Sequence, residues 1–331
     1  MLDTKKGASA QATLGNGRSV KRRRITNRIV PPPLNIFSDF MRNLVSPLLY
    51  SNASGSILDE HWDNLIILDA CRLDSFSEAV SEVLGMKSVP SRISEGSDTY
   101  SFLVNNFGWT RHDDIVYVTA NPVVSSATPR NFFKMIDVWK YAWNERVGTV
   151  SPSDVCNYAL EAKELHPDKR LIIHFLQPHA PYLSSETIAR RMRQSETNRP
   201  GARILGMDIT FFPLSVSFQV DCLPIDSRYQ AYKEDLREVI KCVAGILPAL
   251  NGKTVVTADH GEAFGERLHR FVPLRIYGHL PVRMPVLVRV PWLTIQGEKS
   301  SQASRGSVST SKLSRADEDI INQRLKSLGY I

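Results

Sequence analysis

The stretch TVVTADHGE, residues 254–262, joins a short β-branched apolar run directly to a carboxylate, an imidazole and a glycine. Residues 253–258 are nearly uncharged, and this pattern predicts a buried strand of a parallel sheet. Asp259 and His260 would then follow the carboxyl end of that strand, where open α/β sheets bind ligands. A carboxylate beside an imidazole suits a divalent cation such as zinc or manganese, and Gly261 would let the backbone turn sharply. Such a dipeptide is more often a solvated turn, so a metal site is indicated only if other ligand residues are predicted to lie beside it.

Two further apolar runs end in side chains of the same kinds. The run at 64–68 is followed by Asp69, which places a second carboxylate at the end of a predicted central strand. The run at 169–176 leads to His179, which lies between two prolines that restrict its loop. Parallel strands expose their carboxyl ends at one edge of a sheet, so these side chains are predicted to face the site of Asp259.

A hydroxyl group precedes the helix predicted over residues 100–107. Thr99 stands at the turn into this helix, and Ser97 lies two residues earlier. A hydroxyl at such a position is most often an N-cap. The amino end of a helix also favours the negative charge that develops on a nucleophile, so the same position suits a catalytic hydroxyl.

Strands and helices alternate along the rest of the chain. The remaining predicted elements are a strand and turn at 114–121, a strand at 284–290, helices at 130–145, 153–165 and 226–250, and an irregular insertion at 184–224. This alternation predicts an α/β fold with a mainly parallel central sheet and helices on both faces.

Composition separates a globular part from the tails. The formal net charge of +7 comes from lysines and arginines that concentrate near the N-terminus. The predicted division is a disordered basic arm at 1–30, a catalytic α/β domain at 31–294, a Ser-rich linker at 295–315 and a C-terminal helix at 316–331. No apolar window approaches the length of a membrane span and no secretory signal is recognisable, which predicts a cytoplasmic protein.

Residues 20–50 could bring the chain to a membrane surface. They combine a basic run at 21–24 with an apolar stripe at helical spacing over 35–50. Docking of that stripe on the protein's own core is the commoner explanation. The basic run lacks the aromatic platforms that single-stranded nucleic acids require, so no nucleic acid partner is expected. The four cysteines form no C-x-x-C pair and are expected to be reduced thiols.

Together, these segments resemble the alkaline phosphatase superfamily, and within it the sulfatase-like hydrolases and transferases. The matching motifs lie at 64–74, 177–182, 257–266 and 277–279, and the chain end at 325–330 adds a further likeness. The resemblance implies an alkaline phosphatase-like fold and a metal-dependent enzyme that acts on phosphate or sulfate esters. A transferase that modifies a glycan or a lipid-linked head group would fit the basic arm and the apolar stripe at 35–50.

The resemblance also implies roles for individual residues. Its metal is held by the first-strand aspartate, by the nucleophile and by the later Asp-His pair, which correspond here to Asp69, Thr99, Asp259 and His260. A bound cation lowers the pKa of the hydroxyl and neutralises charge on the tetrahedral phosphorus or sulfur. We expect a single ion, because the Asp-x-x-x-His motif of binuclear members is missing. Zinc or manganese is expected rather than calcium or magnesium, because the ligands combine carboxylates with an imidazole.

The loop histidines His179 and His279 have several roles open to them under this resemblance. They would bind the substrate oxyanion, protonate the leaving group or complete a second metal position. The rival interpretation is a non-catalytic member of the fold that binds a ligand or partner through a degenerate site. The retained metal-ligand residues argue against it.

Two departures from the sulfatase pattern affect the nucleophile. The segment SVPSR, residues 88–92, contains the core of the sulfatase maturation motif, but it lies too close to the first strand and lacks the usual continuation. Thr99 is preferred as the nucleophile because the resemblance implies a threonine at this turn into a helix, and Ser97 and Ser88 remain alternatives. Ala70 replaces the second aspartate of typical sulfatases, which favours a phosphoester-type site.

Overall fold

The computed structural model describes residues 53–108, 110–128, 130–188, 203–204, 207–208, 224–269, 272–297, 320–321 and 323–325. The predicted basic arm, the apolar stripe at 35–50, most of the insertion and most of the Ser-rich linker lie outside these residues. Those parts of the predicted domain division stay predictions.

The described strands are, in chain order, β1 (Asn64–Asp69), β2 (Ser91–Ile93), β3 (His112–Thr119), β4 (Phe132–Asp137), β5 (Trp143–Asn144), β6 (Thr149–Val150), β7 (Arg170–Pro178), β8 (Arg203–Ile204), β9 (Met207–Asp208), β10 (Lys253–Ala258), β11 (Ala263–His269), β12 (Val272–Gly278) and β13 (Arg289–Gln296). The described α-helices are α1 (Leu73–Leu84), α2 (Thr99–Phe107), α3 (Pro122–Ala127), α4 (Val138–Tyr141), α5 (Pro152–Leu165), α6 (Ile225–Ile246) and α7 (Pro285–Val288).

A seven-stranded sheet in the order β2-β13-β10-β1-β7-β3-β4 forms the centre of the fold. Strands β10, β1, β7, β3 and β4 are parallel, whereas β13 runs antiparallel to both β10 and β2. Every residue of β1 is buried, which explains its continuous apolar run, because a central strand of such a sheet is covered on both faces. The predicted mainly parallel α/β fold, with helices on both faces of the sheet, is confirmed.

Helices pack on this sheet through apolar faces. Helix α6 packs against α1, α5 and β7. It buries Leu236, Val239, Ile240 and Val243 at the spacing of one helical face. The helices predicted at 153–165 and 226–250 correspond to α5 and α6, and the second ends at Ile246, ahead of a short 3₁₀ turn.

Two predicted elements differ from the structure. The helix predicted at 130–145 is wrong, because this segment forms β4, which pairs in parallel with β3 at the sheet edge, followed by the single-turn helix α4. The strand predicted at 284–290 is replaced by α7, whose first residue is a proline, and by β13. Strand β13 pairs with β10 and continues to Gln296, beyond the predicted domain boundary at 294.

The described part of the chain end packs on the main core. Residues 320–321 and 323–325 are helical, and the side chains of Ile321 and Leu325 are buried in the core cluster that includes β1. Arg324 forms an ion pair with Glu145 and lies over the ring of Trp143.

Candidate active site

The strand register brings the ends of three central strands to one edge of the sheet. Leu68 of β1 pairs with Ala258 of β10, so Asp69 and the residue after Ala258 lie side by side. Asp69 also pairs with Pro178 of β7, the residue before His179. The chain-distant motifs therefore meet because their strands are neighbours in register.

The Thr99 hydroxyl lies within a buried group formed by the four residues predicted to hold a metal. Its Oγ1 is 2.7 Å from Asp259 Oδ2, 3.2 Å from His260 Nε2 and 3.5 Å from Asp69 Oδ1. His260 Nε2 lies 3.6 Å from Asp69 Oδ1 and 3.4 Å from Asp259 Oδ2. All four side chains are fully buried. The structure thus brings together every residue of this predicted set.

The start of helix α2 positions the hydroxyl. Asp98 is its N-cap, and Asp98 Oδ1 accepts a hydrogen bond of 2.8 Å from the Ser101 backbone N–H. Thr99 is therefore the first helical residue, and its side chain is available for contacts outside the helix. The amino end of α2 faces the site and favours negative charge there.

Backbone groups hold the Asp259-His260 pair in place. Asp259 Oδ1 accepts hydrogen bonds from Ala70 N at 3.1 Å and from His260 N at 2.8 Å. Ala70 has a φ of 56°, an unusual value for a residue with a side chain, beside the site. Gly261 is required for close approach rather than for a left-handed turn, since a Cβ there would lie 2.1 Å from the Val286 carbonyl oxygen.

The donor set fits a divalent cation. His260 Nδ1 must donate to the Gly261 carbonyl oxygen, 2.8 Å away, so its Nε2 turns a lone pair toward the group. The hydroxyl of Thr99 has one hydrogen for three acceptors. Burial and the charge of Asp259 raise the pKa of Asp69 well above its ordinary value, as expected for two neighbouring buried acids. Carboxylate oxygen and imidazole nitrogen together suit zinc or manganese.

A second buried group adjoins the first. Glu262, His179 and His279 offer ligand atoms that lie within 4.8 Å of one another. His279 Nδ1 is 3.0 Å from Glu262 Oε2, and the ring centroids of His179 and His279 are 5.1 Å apart. The His279 ring is also 4.4 Å from that of His260, which links the two groups.

The pKa values of the two loop histidines are shifted in opposite directions. Burial, together with nearby His279, lowers the pKa of His179 to about 4, so this imidazole is neutral. Burial opposes a charge on His279 too, but the hydrogen bond and charge of Glu262 raise the pKa of His279 above its ordinary value. Despite burial, the same contact lowers the pKa of Glu262. These opposite shifts favour an imidazolium beside a carboxylate, which would be a good donor toward an anionic oxygen.

Three buried polar residues beside the site were not predicted from the sequence. Asn121 donates from Nδ2 to Asp69 Oδ2 at 2.6 Å. Glu262 belongs to the second group, and His174 Nε2 lies 3.9 Å from Asp259 Oδ2. Asn121 follows strand β3 and Glu262 follows the Asp-His pair, so the strand-end argument could have found both.

The alternative nucleophiles are placed differently from Thr99. Ser88 is exposed on the chain before β2. Ser97 is buried, and its backbone N–H lies 3.3 Å from Ser101 Oγ. Of the three hydroxyls, Thr99 is the one for which the described residues give hydrogen-bond contacts to both carboxylates.

The candidate site lies at the carboxyl ends of central parallel strands, in agreement with the mainly parallel α/β fold predicted from the sequence. Among solved structures, the chain is similar to the integral membrane lipooligosaccharide phosphoethanolamine transferase A from Neisseria meningitidis, at 12% identity and a TM-score of 0.45. That match covers 74% of this chain and 49% of the transferase, so the chain spans about half of its length.

Two further similar structures come from other organisms. One is the C-terminal periplasmic domain of EptC from Escherichia coli in complex with zinc, at 11% identity and a TM-score of 0.42, with 76% of this chain and 78% of that chain covered. The other is an alkaline phosphatase superfamily protein from Vibrio parahaemolyticus, at 13% identity and a TM-score of 0.37, with 79% and 70% covered. At such identities the likeness concerns the fold alone. No protein-family model and no curated protein sequence matches the chain.

The predicted cytoplasmic location is wrong according to these comparisons, because similar domains from Escherichia coli and Campylobacter jejuni are periplasmic. The prediction rested on hydropathy, which reports whether a segment can cross a membrane and carries no record of where a folded domain works. Within the described residues, no helix combines the length and apolar character needed to cross a membrane.

Proposed function

We propose that this chain is a divalent-metal-dependent hydrolase or transferase that acts on phosphate or sulfate esters through a covalent intermediate on Thr99. The observation that carries the proposal is the position of the Thr99 hydroxyl, within 3.5 Å of two carboxylates and one imidazole. A buried hydroxyl at a helix amino end, surrounded by proton acceptors and cation ligands, has the surroundings that a nucleophile needs.

One zinc or manganese ion would be held by Asp69, Thr99, Asp259 and His260. Calcium and magnesium are less well suited, since both prefer sites built from oxygen ligands. When bound, the cation lowers the pKa of the hydroxyl and offsets charge on the tetrahedral phosphorus or sulfur.

The residues of the chain then divide the reaction between them. Thr99 Oγ1, its proton released to solvent once the pKa of the hydroxyl is lowered, forms a bond to phosphorus or sulfur while the bond to the leaving oxygen breaks. His279, charged through its contact with Glu262, would give a proton to the leaving oxygen. Neutral His179 donates from Nδ1 to the Ala180 carbonyl oxygen, so its Nε2 would accept a hydrogen bond from the attacking water or acceptor hydroxyl. Attack by water or by an acceptor hydroxyl on the modified threonine restores Thr99.

A lipid-linked head group or a glycan is the proposed kind of substrate, and residues 20–50 would bring the enzyme to a membrane surface. Support comes from the basic run at 21–24 and the apolar stripe at 35–50. Co-sedimentation with anionic vesicles should retain the full chain and lose a chain that lacks residues 1–50, with neutral vesicles as the control. Equal retention of both chains would contradict the membrane contact.

The reaction itself is tested through the nucleophile. Thr99→Val keeps the shape of the side chain without its hydroxyl, so turnover of aryl phosphate and aryl sulfate esters should fall about 10⁴-fold or more. Mass spectrometry of acid-quenched wild-type enzyme should locate the covalent adduct on Thr99. Thr99→Ser should retain part of the activity, and Ser97→Ala should retain the adduct. An adduct on another residue, or a Thr99→Val enzyme with more than a tenth of wild-type turnover, would refute the proposal.

The alternative of a non-catalytic protein with a degenerate site is less well supported, because the predicted ligand residues lie together with hydrogen-bonded geometry. A protein that binds no divalent cation after purification and zinc addition would favour that alternative.

A further inference from the structure

A buried tyrosine-histidine pair lies beneath the proposed metal centre and has no part in the proposed chemistry. Tyr117 is on β3 and His174 on β7, two parallel neighbours in which His174 pairs with Thr119. Both side chains are fully buried. Tyr117 Oη is 2.9 Å from His174 Nδ1. A polar pair in the middle of an apolar sheet is costly unless its groups are satisfied, so the contacts of its remaining nitrogen matter.

That remaining nitrogen points at the metal-ligand group. His174 Nε2 has no hydrogen-bond partner within 3.5 Å among the described residues, and it lies 3.9 Å from Asp259 Oδ2. A tyrosine is protonated at neutral pH and can donate to Nδ1. The imidazole then carries its hydrogen on Nε2, directed toward the carboxylate.

A donor at this position would complete the hydrogen bonds of the Asp259 carboxylate. Its Oδ1 is held by two backbone N–H groups, of Ala70 and His260. Its Oδ2 accepts from the Thr99 hydroxyl, the group that loses its hydrogen when Thr99 acts as the nucleophile. Among the described residues, His174 is then the donor placed to hold Oδ2.

We propose that His174 is a positioning residue for the metal centre: Tyr117 fixes its tautomer, and its Nε2–H, 3.9 Å from Asp259 Oδ2, donates to that oxygen once Thr99 has lost its hydrogen and orients the carboxylate toward the cation. This role rests on the proposed function. It belongs to the class of outer hydrogen bonds that tune metal ligands, whose loss typically weakens metal binding about 10- to 100-fold.

The test is zinc affinity of metal-free protein, measured by competition with a chromogenic chelator. His174→Phe removes the donor and keeps a ring, and should weaken zinc binding at least about 10-fold. His174→Gln places an amide N–H at a similar reach and should stay within about threefold of wild type. Tyr117→Phe should give an intermediate loss. His166→Phe is the matched control, because His166 is buried near the opposite end of β7 with its Nε2 also unpartnered in the described residues.

Thermal melting separates this positioning role from a purely structural one, in which His174→Phe would be less stable than wild type. Melting of the metal-free proteins should show His174→Phe as stable as wild type or more so, because an unpartnered polar nitrogen has been removed. Zinc affinity of His174→Phe within twofold of wild type would overturn the proposal, as would equal losses for His174→Gln and His174→Phe. Should His174→Phe fail to fold, unchanged affinity in Tyr117→Phe together with a 10-fold loss in His174→Gln would overturn it. Wild-type protein that binds no zinc would instead refute the proposed function.

Discussion

Replacing Asp69 by asparagine should leave the melting temperature of the metal-free protein nearly unchanged and remove most of the increase that a bound metal gives. Asp69 and Asp259 place carboxylate oxygens within 4.8 Å of each other, both fully buried. Two unit charges at that separation repel by about 3.5 kcal/mol at an effective dielectric constant of about 20. Burial and this repulsion raise the pKa of Asp69 well above its ordinary value, which favours its protonated form in the metal-free protein.

The expected result follows from the shape of a protonated aspartate. The asparagine side chain would resemble that protonated form, and its carbonyl oxygen could still accept from Asn121. Metal-free Asp69→Asn should therefore melt within about 2 °C of the metal-free wild type, or higher. A cation at about 1,000 times its dissociation constant stabilises the wild type by about 4 kcal/mol, which corresponds to roughly 8–16 °C in a domain of this size. The variant should lose most of that increase.

The assay is calorimetric or fluorimetric melting of chelator-stripped protein, with zinc, manganese, calcium or magnesium added in turn. Asp113→Asn is the matched control, since Asp113 is exposed and pairs with Arg111 on the surface. It should keep the full metal-induced increase. A metal-induced increase in Asp69→Asn equal to that of the wild type would refute the proposed ligand set. A larger increase with calcium or magnesium than with zinc or manganese would refute the proposed metal preference.

Three further outcomes are expected. Glu262 raises the pKa of His279, so kcat/KM should be retained at low pH and lost as the pH rises through the pKa of His279. Glu262→Gln should move this alkaline limb of the pH profile to lower pH. An unmoved limb would contradict the role of His279 as the acid. Gly261→Ala should cost about 3 kcal/mol in urea unfolding, because its Cβ would meet the Val286 carbonyl oxygen; wild-type stability would contradict the close approach. Ser88→Ala should keep wild-type turnover, and mass spectrometry should find Ser88 unmodified, since an aldehyde there would revive the sulfatase-type nucleophile.

Two elements that the sequence did not predict depend on pairing between strands. The segment at 130–145 contains aromatic and branched residues that fit either a helix or a strand. Its pairing with β3 at the sheet edge, between residues such as Val116 and Lys134, decides for the strand. The β11–β12 hairpin was likewise not predicted, and its register contains irregularities that obscure a simple alternation of apolar and polar residues.

The site shows a similar division between local and distant information. Asp69, Asp259 and His260 could be found from the sequence because each follows an apolar run that is long enough to predict a strand. Asn121 follows the same rule at the end of β3, yet an amide after a strand is so common that only its 2.6 Å contact with Asp69 reveals its place. His174 lies inside a strand, where periodicity predicts a core residue and nothing more.

The sequence by itself determined that buried strands end in carboxylates and an imidazole, because burial selects apolar side chains and strand ends are where polar ones can resume. Only the tertiary structure decided which of these ends are neighbours, since strand order and register depend on packing between segments distant in the chain. It also brought the Thr99 hydroxyl against Asp259, and joined Glu262 to His179 and His279. A hydroxyl's chemistry depends on acceptors a few ångströms away, and no local pattern in the sequence records those distances.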